Sequence, residues 1–308
     1  MSDQATIILC PGQGAQHVGM GKAWAEASDA ARSTFEQAGE VLGFDLADVC
    51  FNGPDDKVNR TDVAQAAIYV TSIACVRALA EQGVVDCESL TAAAGLSLGE
   101  YTALHMAGVF SFEDGLKLVQ QRGQFMQEAA EASDSSMVAL IGADEPQAVT
   151  LCDAARGGEV LVPANFNCPG QIVISGSSGA CERALAEAEK MGVRATALTV
   201  AGAFHSPLMQ PAADRMAKAL DEVTFVAPKI PVLSNVTGQA HGDDVEQIKS
   251  LLVQQITGAV RWEQNVRWLL ENHAGARYVE PAPGKVLMGL MRRIDRGTKV
   301  ENHAEPTT

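Results

Sequence analysis

The 308-residue chain lacks the usual grips for a metal or a nucleotide. It has no C-x-x-C pair, no H-E-x-x-H and no H-x-x-x-H. Its seven cysteines (Cys10, Cys50, Cys75, Cys87, Cys152, Cys168 and Cys181) are odd in number and scattered, which argues against both a disulfide framework and a zinc knuckle. The six histidines are equally dispersed. In the glycine-rich stretch Pro11-Gly12-Gln13-Gly14, His17 stands where G-x-G-x-x-G needs its third glycine, and no Gly-Lys-Ser/Thr follows. Neither a metal nor a cofactor is therefore expected. Basic charge is also scarce. The 23 Lys and Arg against 38 Asp and Glu leave a formal charge of −15, a field that repels polyanions and argues against nucleic acid. No apolar run approaches the roughly 18 residues that a membrane span requires. The start has no basic segment and no small-residue cleavage site, so it does not read as a signal peptide. The expectation is a cytoplasmic protein without a membrane partner.

The chain is long enough for one large domain with a smaller one inserted. Residues 6–10 read as a buried strand, broken by Pro11-Gly12. A helix is expected from about Lys22 to Leu42, ending at Gly43. Thr61 is the expected N-cap of the next helix, which stops at Gly83. Leu90 to Ala94 reads as a short strand of small residues, and Leu98 to Met106 as a helix. Residues 137–199 have a different rhythm. Strands at Met137–Ile141, Val160–Asn165, Gln171–Ser175 and Val193–Thr199 alternate with helices at Glu145–Ala155 and Gly179–Met191. This is the β-α-β-β-α-β order of a ferredoxin-like unit. The expected fold class is α/β: a hydrolase-like parallel-sheet domain (1–130 and 200–308) interrupted by a ferredoxin-like subdomain (131–199). A strand near Val232-Leu233, helices around 243–256 and 261–272, and a last strand near Tyr278-Val279 complete the large domain. Residues from about Glu301 are expected to form a loose tail.

Gly95-Leu96-Ser97-Leu98-Gly99 fits the nucleophile elbow G-x-S-x-G. A serine on a sharp turn needs small neighbours two residues away, and the helix after it aims free N–H groups at the reacting oxygen. Alone the motif is weak; its place between a strand and a helix strengthens it. The serine needs a base. His205 lies on a loop end that Pro207 keeps irregular, although a lone histidine is more often structural and His17, His105, His241 and His273 are rivals. Arg122 follows the helical run Phe112 to Val119. It reads either as a solvated arginine or as a buried guanidinium that grips a carboxylate through two parallel hydrogen bonds. The loop at 11–16 can bring backbone N–H groups to the serine as a second oxyanion donor.

Several longer motifs recur together: P-G-Q-G-A-Q at 11–16, G-L-S-L-G-E-Y at 95–101, Q-R-G at 121–123, N-F-N-C-P-G-Q at 165–171, A-F-H-S at 203–206, Q-I-T-G-A-V-R-W at 255–262 and E-P-A-P-G-K-V-L at 280–287. In this order they resemble the malonyl-CoA:acyl carrier protein transacylase family and the related acyltransferase domains of polyketide synthases. The resemblance implies that Ser97 is the nucleophile and His205 the general base and acid. It implies Arg122 as the carboxylate ligand, the backbone N–H groups of Gln13 and Leu98 as the oxyanion hole, and a backbone carbonyl at Gln255 that orients the histidine. It places Asn165 and Phe204 at the substrate, with Phe204 disfavouring a branched acyl group. The implied partners are malonyl-CoA and an acyl carrier protein, and the implied state is a monomer. A carrier protein is acidic, as this chain is, so docking is expected at Lys285, Arg292, Arg293 and Arg296, which otherwise read as a solvated helix face.

Three positions depart from the family pattern. Leu96 replaces a usual histidine, Gly202-Ala203 stands where a proline often precedes the phenylalanine, and Cys168 replaces a frequent serine. An acyl group without a carboxylate is expected to leave Arg122 unpaired, at about 3–5 kcal/mol. Two rivals stay open. A serine esterase or thioesterase usually carries its histidine late in the chain, whereas about a hundred residues follow His205. A non-catalytic scaffold has no need of Ser97, His205 and Arg122 together.

Overall fold

The structure is a computed structural model and describes residues 5–306. Strands β1 (Thr6–Cys10), β2 (Leu90–Gly95), β7 (Val232–Leu233), β8 (Arg277–Pro281) and β9 (Val300–His303) form one parallel sheet in the order β7-β2-β1-β8-β9. β1 and β2 are almost wholly buried, as parallel strands covered on both faces must be. Their side chains alternate between two cores: Ile8, Cys10 and Ala93 on one face, Ile7, Leu9, Ala92 and Ala94 on the other.

A second sheet lies between these strands in sequence. β3 (Ser135–Ile141), β4 (Leu161–Cys168), β5 (Gln171–Ser177) and β6 (Arg194–Ala197) pair antiparallel in the order β4-β5-β3-β6. Helices Glu145–Ala155 and Ser178–Lys190 connect them, giving the ferredoxin-like order read from the sequence. Val138, Leu140, Ile172 and Ile174 share a separate core with Ala148, Leu151, Ala180 and Ala184. Asp144 and Gln147 make a reciprocal capping box at the first helix. β4 is tied to the segment after helix Val245–Thr257, where Phe166 N–H donates to Val260 O (2.9 Å) and Val260 N–H to Ala164 O (2.8 Å). The fold class is thus mixed α/β, with a parallel sheet and a separate antiparallel one.

The structure corrects several expectations. The helix expected over Lys22–Leu42 is two, Lys22–Ala27 and Asp29–Leu42. Ser28 between them is extended, and its Oγ accepts from Ala31 N–H, so a cap-forming serine wins locally over continuation. Thr61 is the first residue of helix Thr61–Glu81 rather than its cap; its N–H donates to Gln127 Oε1 at 3.1 Å. The helix Phe112–Glu131 runs far past Val119 and includes Arg122. Gly123 lies inside it, and a Cβ there would sit 2.6 Å from Thr61 O, so the glycine lets two helices touch. Short helices Leu46–Asn52 and Asp55–Asn59 were not expected. The C-terminal segment is no tail through His303. β9 closes the sheet edge, and His303 O accepts from Trp24 Nε1 (3.2 Å) and Cys75 Sγ (3.4 Å). Finally, helix Thr61–Glu81, 21 residues with an 18-residue window of mean hydropathy 1.6, is long and apolar enough to cross a bilayer. Interspersed Thr71 and Ser72 hide it from a search for unbroken apolar runs. It is buried in the large core, where Ser72 Oγ donates to Ala282 O at 2.8 Å.

Candidate active site

The C-terminal ends of β1, β2 and β7 converge, the usual location of a site in an open parallel sheet. β2 delivers Ser97 on an elbow with φ +52°, a left-handed conformation that a non-glycine residue rarely adopts. The flanking glycines are obligatory. A Cβ on Gly95 would lie 1.8 Å from Gly99 C, and one on Gly99 would lie 2.1 Å from Cys10 O. Gly12, after β1, packs on the same turn: a Cβ there would meet Leu96 O at 2.2 Å. Asn235, just beyond β7, pins the elbow. Its Oδ1 accepts from Ser97 N–H (2.6 Å) and its Nδ2 donates to Gly95 O (2.8 Å).

Ser97 Oγ lies 2.8 Å from His205 Nε2. His205, also in the left-handed region (φ +58°), lies 2.7 Å through Nδ1 from the backbone O of Gln255. A carbonyl accepts only, so Nδ1 carries the proton and the lone pair of Nε2 faces the serine. Burial and then the nearby Arg122 charge push the His205 pKa down to about 4, against opposing hydrogen bonds to the backbone at Gln255 and Gly258. The imidazole is therefore neutral near pH 7 and available as a base.

Arg122 is buried, not solvated (1% exposed). Its Nη2 donates to Ser97 Oγ (3.0 Å) and Gln255 Oε1 (2.8 Å), and its Nη1 to Gln65 Oε1 (2.7 Å). Nε reaches no acceptor in hydrogen-bonding geometry, and no carboxylate forms an ion pair with this guanidinium among the described residues. Burial pulls its pKa below the usual arginine range. A buried cation held only by neutral oxygens is a ready receptor for an anion.

The remaining residues singled out in the sequence distribute as follows. Leu98 is fully buried directly after the nucleophile. Gln13 binds Thr61 Oγ1 through its side chain (3.3 Å). The backbone N–H groups of Gln13 and Leu98 donate no hydrogen bond among the described residues. Phe204 is buried beside His205. Asn165 is half-buried on β4, bridged to Val260. Lys285, Arg292, Arg293 and Arg296 are all exposed around helix Val286–Ile294, and Arg293 donates to Gln171 Oε1 (3.2 Å). His105 turns away, with Nδ1 3.2 Å from Phe110 O. Sequence reasoning missed Gln65, Glu100 and Asn235, and weighed His241 only as a rival base, whereas its Nε2 lies on Glu100. For Gln65 the available signal was a lone amide in an apolar helix; for Asn235 it was the position just past a parallel strand.

Residues 7–293 match the acyl transferase domain family. The chain is 40% identical over 288 residues to the malonyl CoA-acyl carrier protein transacylase of Escherichia coli (strain K12), covering 93% of this chain and 92% of that one. The solved malonyl-CoA:acyl carrier protein transacylase of Xanthomonas oryzae pv. oryzae is similar with a TM-score of 0.93 and 40% identity, over 99% of this chain and 96% of that one. A malonyl-transacylase solved in complex with its type II PKS acyl-carrier protein gives a TM-score of 0.93 at 36% identity, over 98% of this chain and 96% of that one. With its elbow serine in contact with a neutral histidine and a buried arginine, the chain belongs to the acyl transferase domain family and, within it, to the malonyl CoA-acyl carrier protein transacylases.

Proposed function

We propose that this chain transfers the malonyl group of malonyl-CoA to the phosphopantetheine thiol of an acyl carrier protein in fatty acid biosynthesis, through a malonyl ester on Ser97. One observation carries this reading: a nucleophile, a neutral base and a buried cation meet at a single atom, Ser97 Oγ. His205 Nε2 takes the Oγ proton as Oγ attacks the thioester carbon. The N–H groups of Gln13 and Leu98 hold the resulting oxyanion. Its collapse expels CoA, which leaves with the proton from His205. The carrier thiol then attacks the ester, His205 acts again as base, and Ser97 is restored in a ping-pong cycle. Gln255 contributes the carbonyl that fixes the imidazole tautomer, a part that a neutral acceptor can play in place of an aspartate.

The free malonyl carboxylate binds Arg122, exchanging neutral acceptors for a charged one. Without a carboxylate, this guanidinium is not bare, because Gln65 and Gln255 still hold it. Selectivity against acetyl is therefore about 1.5–3 kcal/mol, the worth of charged hydrogen bonds, rather than the cost of an unpaired buried ion. Phe204 narrows the acyl pocket against branched groups, and Asn165 lines the approach from the antiparallel sheet. The exposed Lys285, Arg292 and Arg293 receive the acidic carrier. The enzyme acts as a monomer in the cytoplasm, with residues 131–199 as its small subdomain. Brief incubation with malonyl-CoA followed by intact-mass analysis tests the reading. One malonyl adduct is expected, absent in Ser97→Ala; no adduct, or one that survives this substitution, rejects it.

A further inference from the structure

Glu100, three residues past the nucleophile, is fully buried and pairs with neither lysine nor arginine among the described residues. A carboxylate in the interior is costly unless donors surround it. Three do: His241 Nε2 on Oε1 (2.7 Å), and Asn235 N–H (3.0 Å) and Gln255 Nε2 (2.7 Å) on Oε2. Two of these donors reach directly into the active site. We infer that Glu100 is a positioning residue for the acyl-carboxylate site: its carboxylate, backed by His241, fixes the amide of Gln255 and through it the guanidinium of Arg122.

The physical reason is the asymmetry of an amide. Gln255 has one accepting and one donating end, and the donor-only guanidinium of Arg122 can use only the accepting one. A carboxylate accepts only, so it takes the Nε2 end, which also donates to Ser97 O at 3.0 Å. Oε1 is left for Arg122 Nη2 at 2.8 Å. With the amide reversed, NH2 would face a guanidinium that is itself donor-only, and both would be unsatisfied in a dry site. The same carboxylate oxygen holds the backbone of Asn235, whose side chain pins the strained serine turn. His241 is buried, and among the described residues its Nδ1 has no partner and the ring's polar tie is to Glu100. One anion thus sets the geometry of both the arginine and the elbow.

This inference rests on the malonyl-selective reading of Arg122, and the test separates the two. The ratio of kcat/KM for malonyl-CoA over acetyl-CoA is measured for the native enzyme, Glu100→Gln, Arg122→Ala and the double variant, with thermal melting as the check on folding. Glu100→Gln replaces the acceptor-only group by one that also donates. It is expected to lower the ratio about tenfold, with less than about a twofold change when Arg122 is already alanine, because the two act in series. If Glu100→Gln does not fold, Gln255→Met takes its place: it removes the amide but keeps the backbone carbonyl for His205, and the same fall is expected. An unchanged ratio in a folded variant, or an equal loss in both arginine backgrounds, overturns the inference alone. Loss of the malonyl adduct in the native enzyme, or an unchanged ratio in Arg122→Ala, overturns the functional reading, and this inference with it.

Discussion

The two sheets treat polar groups in opposite ways. In the antiparallel unit, Ser175 is the only buried polar residue between 135 and 197 among the described residues, and the core is apolar. Around the parallel sheet, Gln65, Glu100, Arg122, His205, Asn235 and Gln255 are all buried, and most are bound to one another. The small unit is held by apolar burial. The large unit spends part of its stability on a polar network and two left-handed residues, Ser97 and His205. Chemistry sits where local rules are broken; ordinary packing rules hold where it does not.

Substitutions that separate stability from chemistry sharpen this contrast. Ile174→Ala in the small core is expected to cost about 2–4 kcal/mol of stability, read by urea unfolding, and to leave the malonyl-to-acetyl ratio unchanged. A change in that ratio would mean that the antiparallel unit shapes the acyl pocket. Arg122→Ala, in the polar network, should do the reverse. Malonyl selectivity in kcat/KM should fall by roughly 10–100-fold, the equivalent of about 1.5–3 kcal/mol. A fall well below tenfold would place carboxylate recognition elsewhere.

Acid should act on the large unit through His205. The unfolded chain takes up this proton near 6.5, whereas the folded state resists it down to about 4. Stability from this group is thus full above 6.5, is lost as pH falls through the window, and levels off below about 4. Acylation of the free enzyme should keep its base form to a midpoint near 4. A limb near 6.5 in the pH profile of kcat/KM would show that the ring is not desolvated. The smallest effect is expected at the surface. Reversing Arg292 and Arg293 to glutamate should slow transfer to carrier protein by a few-fold, more at low salt, and spare acylation by malonyl-CoA. Equal effects on both half-reactions would count against docking there.

Legibility in the sequence followed the same divide. The strand and helix pattern gave the antiparallel unit nearly in full, because an amphipathic pattern reports its own burial. The elbow serine was legible because only glycine fits beside it. The C-terminal strand β9 was not: its residues Val300-Glu301-Asn302-His303 carry no strand pattern, and pairing with β8 is what orders them. Helix Phe112–Glu131 was read only to Val119, because the polar run Gln120-Gln121-Arg122 breaks the apolar pattern and the buried partners of Arg122 come from other helices. The family resemblance supplied roles for Arg122 and Gln255 that spacing alone left open.

By itself the sequence determined the order of elements, the glycine-flanked serine and the motifs that mark the family, since these rest on backbone sterics and local periodicity. Only the tertiary structure decided which histidine faces Ser97, that Arg122 is buried among the neutral oxygens of Gln65, Ser97 and Gln255, and that Glu100 stands behind both. Those facts depend on contacts between residues 25 to 158 positions apart, and no local preference of the chain encodes such distances.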